Sequence, residues 1–558
     1  MKKTIAIMVL MAVILTVIWY YKENKHNPVG MNEPTEQETQ LVDRIMEQMT
    51  LEEKVGQMLM PDLRMWEGSN TTEMNPGTIK LIQDYHLGGV ILFNKNIVNQ
   101  EQLIRLTGAL QEVSGDIPLL IAIDQEGGSV SRIPDGTNMP GNMALGATGS
   151  DELAYQVGFT IGQELKALGI NLNFAPVMDV NNNPANPVIG IRSFGDDPGL
   201  VADLGVQYAR GLQEAGVGAV AKHFPGHGDT DVDSHLGLPS IPHDLDRLES
   251  VELKPFREAV ANGVDMIMTA HVTFPAVDDS GLPATLSYPV LNGLLRREMG
   301  FEGVIVTDAF TMKAIADHFG EGEAVVTAIK AGADLILMPN DVELAYQSIL
   351  EAVASGELSH DRINQSVRRI LAFKEKNGLL RHEDKNISAA IESAQKLIGC
   401  PEHRLIEQKV AEKAVTLVAN PHQVVPFKPE GGEKILLLAP KQNQLELMAG
   451  AVKEVFAQQE REVSLEKVVY DDLANLSSDV DSDYIILATE NLKEDTTLPF
   501  DTGKLAVIGL GTPYDTKYLP DVAYLAVYGA EYPNMLAGMK AVFGVMEPSG
   551  QLPVNIPE

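Results

Sequence analysis

Cysteine and positive charge are both scarce in this sequence. Cys400 is the only cysteine among 558 residues, so an internal disulfide and a cysteine-based zinc cluster are excluded. The 43 lysines and arginines face 77 acidic residues, a net charge of −34 that repels phosphate backbones, and we expect no nucleic-acid partner. A hydrophobic content of 44% excludes a disordered chain and leaves a globular enzyme open.

Long apolar runs are missing except at the amino terminus. Residues 5–21 form a run of 17 in which Thr16 is the only non-apolar residue, preceded by Lys2 and Lys3. This length reaches the range of a membrane span, and no small-residue cleavage site follows it. The pattern favours a single uncleaved anchor, with the body outside the cytoplasmic membrane and residues 22–40 as a polar tether. A cleaved signal segment (a secreted protein) or a buried helix stays open as an alternative.

A repeated unit of a short apolar run followed by a helical stretch occupies residues 41–380. Such runs, separated by helices, indicate a parallel sheet covered on both faces, and eight of them suggest a (β/α)8 TIM-type barrel. An open doubly wound sheet is the alternative. The barrel is favoured because polar residues follow the strand ends, where a barrel brings them to one face. The eight runs are residues 56–63, 88–93, 119–128, 171–180, 216–224, 264–274, 303–312 and 333–341.

The remaining chain predicts a second, smaller α/β domain. Residues 381–413 are interpreted as a linker with a long helical run, and residues 414–558 as the carboxyl-terminal domain. Five apolar runs there are typical of buried parallel strands. Gly509-Leu510-Gly511 lacks the third glycine of a dinucleotide fingerprint, so we interpret it as a turn and expect no cofactor. The five runs are residues 414–420, 434–440, 483–490, 505–510 and 522–529.

The segment of residues 222–235, KHFPGHGDTDVDSH, is the richest in chemistry. It holds three histidines and three aspartates on a loop after the fifth predicted strand. Imidazoles and carboxylates spaced along a loop could ligate a divalent ion, act as a general acid and base, or simply be solvated. The residue types alone leave these three interpretations open.

Several motifs together resemble family 3 of the glycoside hydrolases. KHFPGHGDT followed by D-x-H is similar to the signature of its β-N-acetylglucosaminidase branch, which acts on cell-wall fragments. IAIDQEGGSVSRI, NFAPVMDV, RSFGDDP and VIVTDAF resemble other blocks of the family in the same order, and the region ending in GQLPVNIPE resembles its second domain. The resemblance implies a retaining exo-β-N-acetylglucosaminidase that removes terminal N-acetylglucosamine (GlcNAc) without a metal or cofactor.

The resemblance also implies roles for individual residues. Asp308 would be the nucleophile, and His235, oriented by Asp233, would be the acid and base. His227 and Asp231 are interpreted as loop structure. The residues expected to bind the sugar are Asp124, Arg132, Arg192, Lys222 and His223, with Asp179 and His271 as supporting residues.

Three rival functions and two substrate classes remain open at this point. The rivals are a TIM-barrel metal-dependent hydrolase, an enzyme that transfers GlcNAc to phosphate, and a non-catalytic sugar-binding protein. The GlcNAc-containing substrate would be a peptidoglycan fragment or a chitin-type oligosaccharide. The sequence does not indicate an oligomeric state.

Overall fold

The fold was determined as a computed structural model that describes residues 36–381, 386–429, 432–473, 476, 481–492 and 498–557. The predicted anchor at residues 5–21 lies outside the described residues. A helix already begins at Glu36, a few residues before the boundary that the sequence suggested. Among the described residues, no helix is both long enough and apolar enough to cross a membrane.

Within residues 36–381, eight parallel strands close into the predicted barrel. Each strand lies inside one of the eight apolar runs, and its side chains are buried. Leu59–Met60 pairs with Ile336–Leu337, and bridges between Asp62 and Ile91 and between Val306 and Leu335 join the remaining seams. The barrel prediction is therefore confirmed, and the open sheet is excluded. The strands are β1 (Leu59–Met60), β4 (Gly89–Leu92), β5 (Leu120–Ile123), β6 (Leu172–Asn173), β7 (Gly218–Phe224), β8 (Met266–Thr269), β9 (Val304–Val306) and β10 (Ile336–Leu337), with a hairpin of β2 (Met65–Trp66) and β3 (Ser69–Asn70) after β1.

Helices surround this barrel, and most begin at a residue whose side chain caps the first turn. Ser150, for example, accepts a hydrogen bond from the N–H of Leu153, and Ser359 accepts one from Arg362. The helices are Glu36–Gln48, Leu51–Gln57, Pro76–Tyr85, Gln100–Val113, Asn142–Thr148, Asp151–Ala167, Pro198–Glu214, Leu245–Ser250, Lys254–Ala261, Lys313–Ala316, Glu321–Ala331, Val342–Ser355 and His360–Lys376, with a π-helix at Pro289–Glu298.

The second domain contains a six-stranded sheet in the described residues, with the order β11-β16-β15-β14-β12-β13. The prediction that all its strands are parallel is wrong for β11, which pairs antiparallel with β16 at one edge. The sequence also missed β13, because this edge strand is largely exposed and has no continuous apolar run. The strands are β11 (Thr416–Ala419), β12 (Lys434–Ala439), β13 (Ser464–Val469), β14 (Tyr484–Thr489), β15 (Leu505–Gly509) and β16 (Ala523–Ala526).

The predicted long helix before the second domain is two helices, Ile387–Leu397 and Pro401–Ala414. Gly399 separates them with a φ of 65°, a left-handed conformation that suits glycine. Helices Gln442–Ala457 and Tyr532–Val542 cover one face of the sheet.

The other face of that sheet packs against the barrel, on the loops that follow β5 and β6. Buried side chains of helix Asn142–Thr148 join its apolar cluster. Asn181 donates a hydrogen bond to the Tyr514 hydroxyl (3.0 Å), and the backbone N–H of Asn555 donates to the Asp196 carboxylate (2.6 Å). The second domain therefore borders the face of the barrel where the strands end.

Candidate active site

Most of the predicted site residues follow the carboxyl ends of barrel strands. Asp124 comes directly after β5, Lys222 and His223 lie in the last part of β7, and Asp308 comes two residues after β9. Because these ends share one face of a closed barrel, side chains that are far apart in sequence meet there.

Asp308 lies partly exposed at this face. Its Oδ1 accepts a hydrogen bond from the N–H of Ala309 at 2.8 Å. Burial alone would raise the pKa of this carboxyl, but the nearby His271 and His223 and the Ala309 N–H outweigh burial and lower it. The carboxylate is therefore ionised at neutral pH, as a nucleophile must be.

A compact cluster of four charges lies at the same face of the barrel as Asp308. The Lys222 Nζ is 2.7 Å from both Asp124 Oδ1 and Glu126 Oε1. Arg192 donates two parallel hydrogen bonds to Glu126, of 3.0 and 2.8 Å. Only 2% of the side-chain surface of Lys222 and of Glu126 is exposed, against 21% for Asp124. Asp124 thus has the most open carboxylate of the cluster and is available to a ligand.

Glu126 is a residue that the sequence analysis missed. Burial would raise the pKa of its carboxyl, but Arg192 and Lys222 lower it far below its usual range. The available signal was its place in DQEGG, two residues after Asp124 at the end of an apolar strand. The sequence could not show that it joins Arg192 and Lys222, which lie 66 and 96 positions further along the chain.

His223 is oriented by Asp179, which is fully buried. The His223 Nδ1 lies 2.7 Å from Asp179 Oδ2, and the N–H of His227 donates to Asp179 Oδ1 at 2.7 Å. This pairing occupies Nδ1 of His223 and leaves Nε2 for a ligand. Asp179 thus holds the first part of the histidine-rich segment against the loop that follows β6.

His271 is also fully buried, and both of its ring nitrogens have partners. Nδ1 lies 2.7 Å from the Thr285 hydroxyl and Nε2 lies 3.1 Å from the Ala309 carbonyl. Burial lowers its pKa, so the ring is neutral at pH 7. It packs beside the turn that carries Asp308.

Arg132 lies on the loop after β5 and retains an unpaired donor. Its backbone N–H donates to Gln125 Oε1 at 2.6 Å, whereas its buried Nε has no hydrogen-bond partner among the described residues. A buried donor left unpaired is unfavourable, and an acceptor on a bound ligand would satisfy it.

Asp233 and His235 form a pair on the loop after β7. The His235 Nδ1 lies 2.8 Å from Asp233 Oδ1, which also accepts the backbone N–H of His235 at 2.8 Å. The His235 side chain is 60% exposed and is close enough to Asp308 to lower the pKa of that carboxyl. The pair therefore stands at the solvent edge of the site with Nε2 of His235 free to exchange a proton.

His227 fixes the loop immediately before this pair. It is buried, with Nδ1 3.0 Å from the Thr230 hydroxyl and Nε2 2.8 Å from the Ser234 hydroxyl. Burial lowers its pKa to about 4, so it is neutral at ordinary pH. Asp231 is exposed on the same loop.

The three histidines of residues 222–235 do not converge as metal ligands in the described chain. Each has a separate carboxylate or hydroxyl partner. The cluster with metal-ligand spacing is instead Asp229, His243 and Glu252. Arg247 already lies 3.2 Å from Glu252 and 3.8 Å from Asp229, and its guanidinium compensates their negative charge.

Comparisons with known proteins agree with this geometry. Residues 50–373 match the glycosyl hydrolase family 3 N terminal domain. The chain is 39% identical to β-hexosaminidase A of Pseudoalteromonas piscicida, over 70% of this chain and 71% of the relative. It is 38% identical to a β-hexosaminidase of Hydrogenovibrio crunogenus, over 56% and 88%.

The solved structure of a family 3 β-N-acetylglucosaminidase from Paenibacillus sp. str. FPU-7 is also similar, with a TM-score of 0.80 and 36% identity. The match covers 91% of this chain and 99% of that one, so it includes both domains. Since the family match spans more than half of the sequence and the barrel residues above carry its motifs, the chain belongs to family 3 of the glycoside hydrolases.

Proposed function

We propose that this glycoside hydrolase is a retaining exo-β-N-acetylglucosaminidase. Its substrates would be peptidoglycan fragments or related oligosaccharides with GlcNAc at the non-reducing end. The observation that carries the proposal is the Asp233–His235 pair on the loop after β7, together with an ionised Asp308 at the end of β9. The β-hexosaminidases similar to this chain support the same substrate class.

Retaining hydrolysis needs a nucleophile and a group that first donates and then accepts a proton. The Asp308 carboxylate attacks C1 of the sugar, while protonated His235 donates its Nε2 proton to the departing oxygen. In the second step neutral His235 takes a proton from water, which attacks C1 and releases Asp308. Asp233 keeps a proton on Nδ1 throughout and so leaves Nε2 as the reacting atom.

The charge cluster supplies the contacts that hold the sugar. Asp124 offers acceptor oxygens, while Lys222, His223 and Arg132 offer donors. A sugar presents many hydroxyls, each able to donate and accept, and an unpaired one is costly. A site with both fixed donors and fixed acceptors therefore fits a sugar better than an apolar or a purely anionic substrate.

The first experiment compares cleavage of 4-nitrophenyl N-acetyl-β-glucosaminide and of the matching glucoside by the full chain. Asp308→Asn and His235→Ala are measured beside two exposed controls, Asp279→Asn and His360→Ala. We expect the wild-type protein to prefer the N-acetyl sugar, Asp308→Asn to be inactive and both controls to retain activity. Because nitrophenolate leaves without protonation, His235→Ala should lose less activity here than on a natural disaccharide.

The rival functions give different results in the same assay. Loss of activity after removal of divalent ions with EDTA, restored by zinc, would favour the metal-dependent hydrolase. A sugar phosphate formed when phosphate is added would show transfer to phosphate. Binding of GlcNAc without any turnover would leave a sugar-binding protein. Release of free GlcNAc that is unaffected by EDTA and by phosphate supports hydrolysis.

The natural substrate and the cell location complete the proposal. Muropeptides and chitin-type oligomers, supplied at equal concentration, separate the two substrate classes by their kcat/KM values. We propose an extracytoplasmic location from the apolar run at residues 5–21, which lies outside the described residues. We expect the full chain to be retained in the membrane fraction. Deletion of residues 1–30 should release the protein into the soluble fraction.

A further inference from the structure

A cleft runs between the barrel and the second domain. Glu126, Asn142 and Arg192 line it on the barrel side, and Glu490, Tyr528 and Glu531 line it on the other side. The cavity within this cleft has a volume of about 80 Å³, counted as the positions that the centre of a water molecule can occupy. A single water needs roughly 10–15 Å³ of such space, so the cleft can accept several waters or the hydroxyl groups along one edge of a sugar.

The cleft shares residues with the sugar side of the active site. Glu126 lines it, and the Lys222 Nζ that contacts Glu126 at 2.7 Å also contacts Asp124 at 2.7 Å. The loops after β5 and β6 supply its barrel wall, whereas Asp308 and the Asp233–His235 pair come from β9 and β7. The cleft therefore borders the charge cluster. Its barrel wall comes from loops after β5 and β6, which do not carry the reacting groups.

Two acceptors in the cleft lack partners. The Oε2 of Glu531 and the Oδ1 of Asn142 are buried and have no hydrogen-bond partner in the described chain. Glu531 stands directly before helix Tyr532–Val542, but its side chain does not cap that helix. Burial raises the pKa of Glu531, and the nearby Glu490 adds to this, although the backbone N–H groups of Glu531 and Ala530 act on the carboxyl in the opposite direction. Buried acceptors without donors are costly, so this arrangement fits a ligand that brings hydroxyl groups.

The contacts between the domains hold the two walls of the cleft together. Asn181 bonds to Tyr514, Asp196 bonds to Asn555, and the N–H of Gln551 donates to the Ala147 carbonyl at 2.9 Å. Glu531 and Arg192 thus line one cleft from the two domains. A site residue from the second domain can then act as part of a preformed surface.

We propose that this cleft receives the non-reducing edge of the terminal sugar and that Glu531 accepts a hydrogen bond from one of its hydroxyls. The inference rests on the proposed function and adds to it that the second domain takes part in substrate recognition.

The test uses the full chain with Glu531→Ala, the conservative Glu531→Gln and a control, Glu466→Ala, on the exposed edge strand β13. Two readouts are taken: kcat/KM for 4-nitrophenyl N-acetyl-β-glucosaminide and its 4-deoxy and 6-deoxy analogues, and calorimetric Kd for free GlcNAc. Thermal unfolding of each variant shows whether the fold is kept.

We expect Glu531→Ala to raise KM and the Kd for GlcNAc about 10- to 100-fold, the range for a lost hydrogen bond to a charged group. Glu531→Gln keeps an acceptor oxygen and should recover much of this loss. On the deoxy analogue that lacks the bonded hydroxyl, Glu531→Ala should match the wild type within about twofold.

Equal behaviour of Glu531→Ala and Glu466→Ala would overturn the inference, as would an equal loss on all three substrates. If GlcNAc binds through Glu531 but is not released from the substrate, the proposed hydrolysis is wrong and the cleft assignment stands. If GlcNAc is neither bound nor released, both are wrong.

Discussion

Replacing Glu126 by glutamine removes a negative charge from between two largely buried cations. Lys222 is 2% exposed and Arg192 is 19% exposed, and both contact this carboxylate within 3.0 Å. Breaking a buried ion pair typically costs about 3–5 kcal/mol. We expect about 3 kcal/mol here, because Asp124 still neutralises Lys222 and water reaches Arg192.

The pH dependence of this loss follows from the lowered pKa of Glu126. The unfolded chain has the ordinary value of 4.5, and the folded chain has a far lower one. The stabilisation is therefore complete above about pH 4.5 and is lost as the pH falls toward the folded pKa. Below pH 4.5 the difference between wild type and Glu126→Gln should shrink by about 1.4 kcal/mol per pH unit.

Guanidinium unfolding followed by circular dichroism, at pH 7 and between pH 5 and pH 3.5, measures both quantities. Glu101→Gln is the matched control, since its pair with Arg105 is about half exposed and should change stability by less than about 0.5 kcal/mol. We also expect kcat/KM to fall on the order of 100-fold, because Lys222 and Arg192 lose their position. A stability loss below about 1 kcal/mol, or one that grows as the pH falls, would refute this reasoning.

Three further changes test other parts of the structure. Asp233→Asn should lower kcat/KM on a natural disaccharide about 100- to 10,000-fold with little change in unfolding temperature, measured by sugar release, because His235 loses the partner that fixes its tautomer. Ser234→Ala removes the partner of His227 Nε2 and should lower kcat while the unfolding temperature changes little. Steady-state kinetics and thermal unfolding measure the two effects, and a fall in unfolding temperature that accompanies the loss of kcat would contradict this. Lys374 is fully buried, and burial lowers its pKa to about 7. Between pH 7 and pH 10 the unfolded chain therefore binds a proton that the folded chain does not, and the free energy of unfolding should rise by about 1.4 kcal/mol per pH unit. Lys374→Met should flatten that rise in denaturant titrations.

The barrel could be predicted because its strands are buried on both faces. The stretches of residues 88–93 and 303–306 are continuous and apolar, and each contains the strand that the structure shows. The edge strands of the second domain were harder. β13 is mostly exposed, so its sequence contains no continuous apolar run. The residues of β11 (416–419) do not indicate whether this strand pairs parallel or antiparallel with β16.

The same contrast holds within the candidate site. Asp233 and His235 lie two positions apart, so their pairing could be expected from the sequence, and the structure shows it at 2.8 Å. Asp124 and Lys222 were both singled out, but their direct contact joins positions 98 apart. Glu126 and Glu531 escaped notice because an acidic side chain in a loop resembles any solvated surface residue until its burial is known.

By itself, the sequence determined the repeat of strands and helices, the motifs of family 3, and the residues that end the barrel strands. These features are local, and the periodicity of apolar residues and the order of motifs record them directly. Only the tertiary structure decided which charges neutralise one another, how the second domain borders the barrel, and that Glu531 lines the same cleft as Arg192. Those outcomes depend on contacts between distant parts of the chain, and the burial that gives them their energy exists only once both domains have packed.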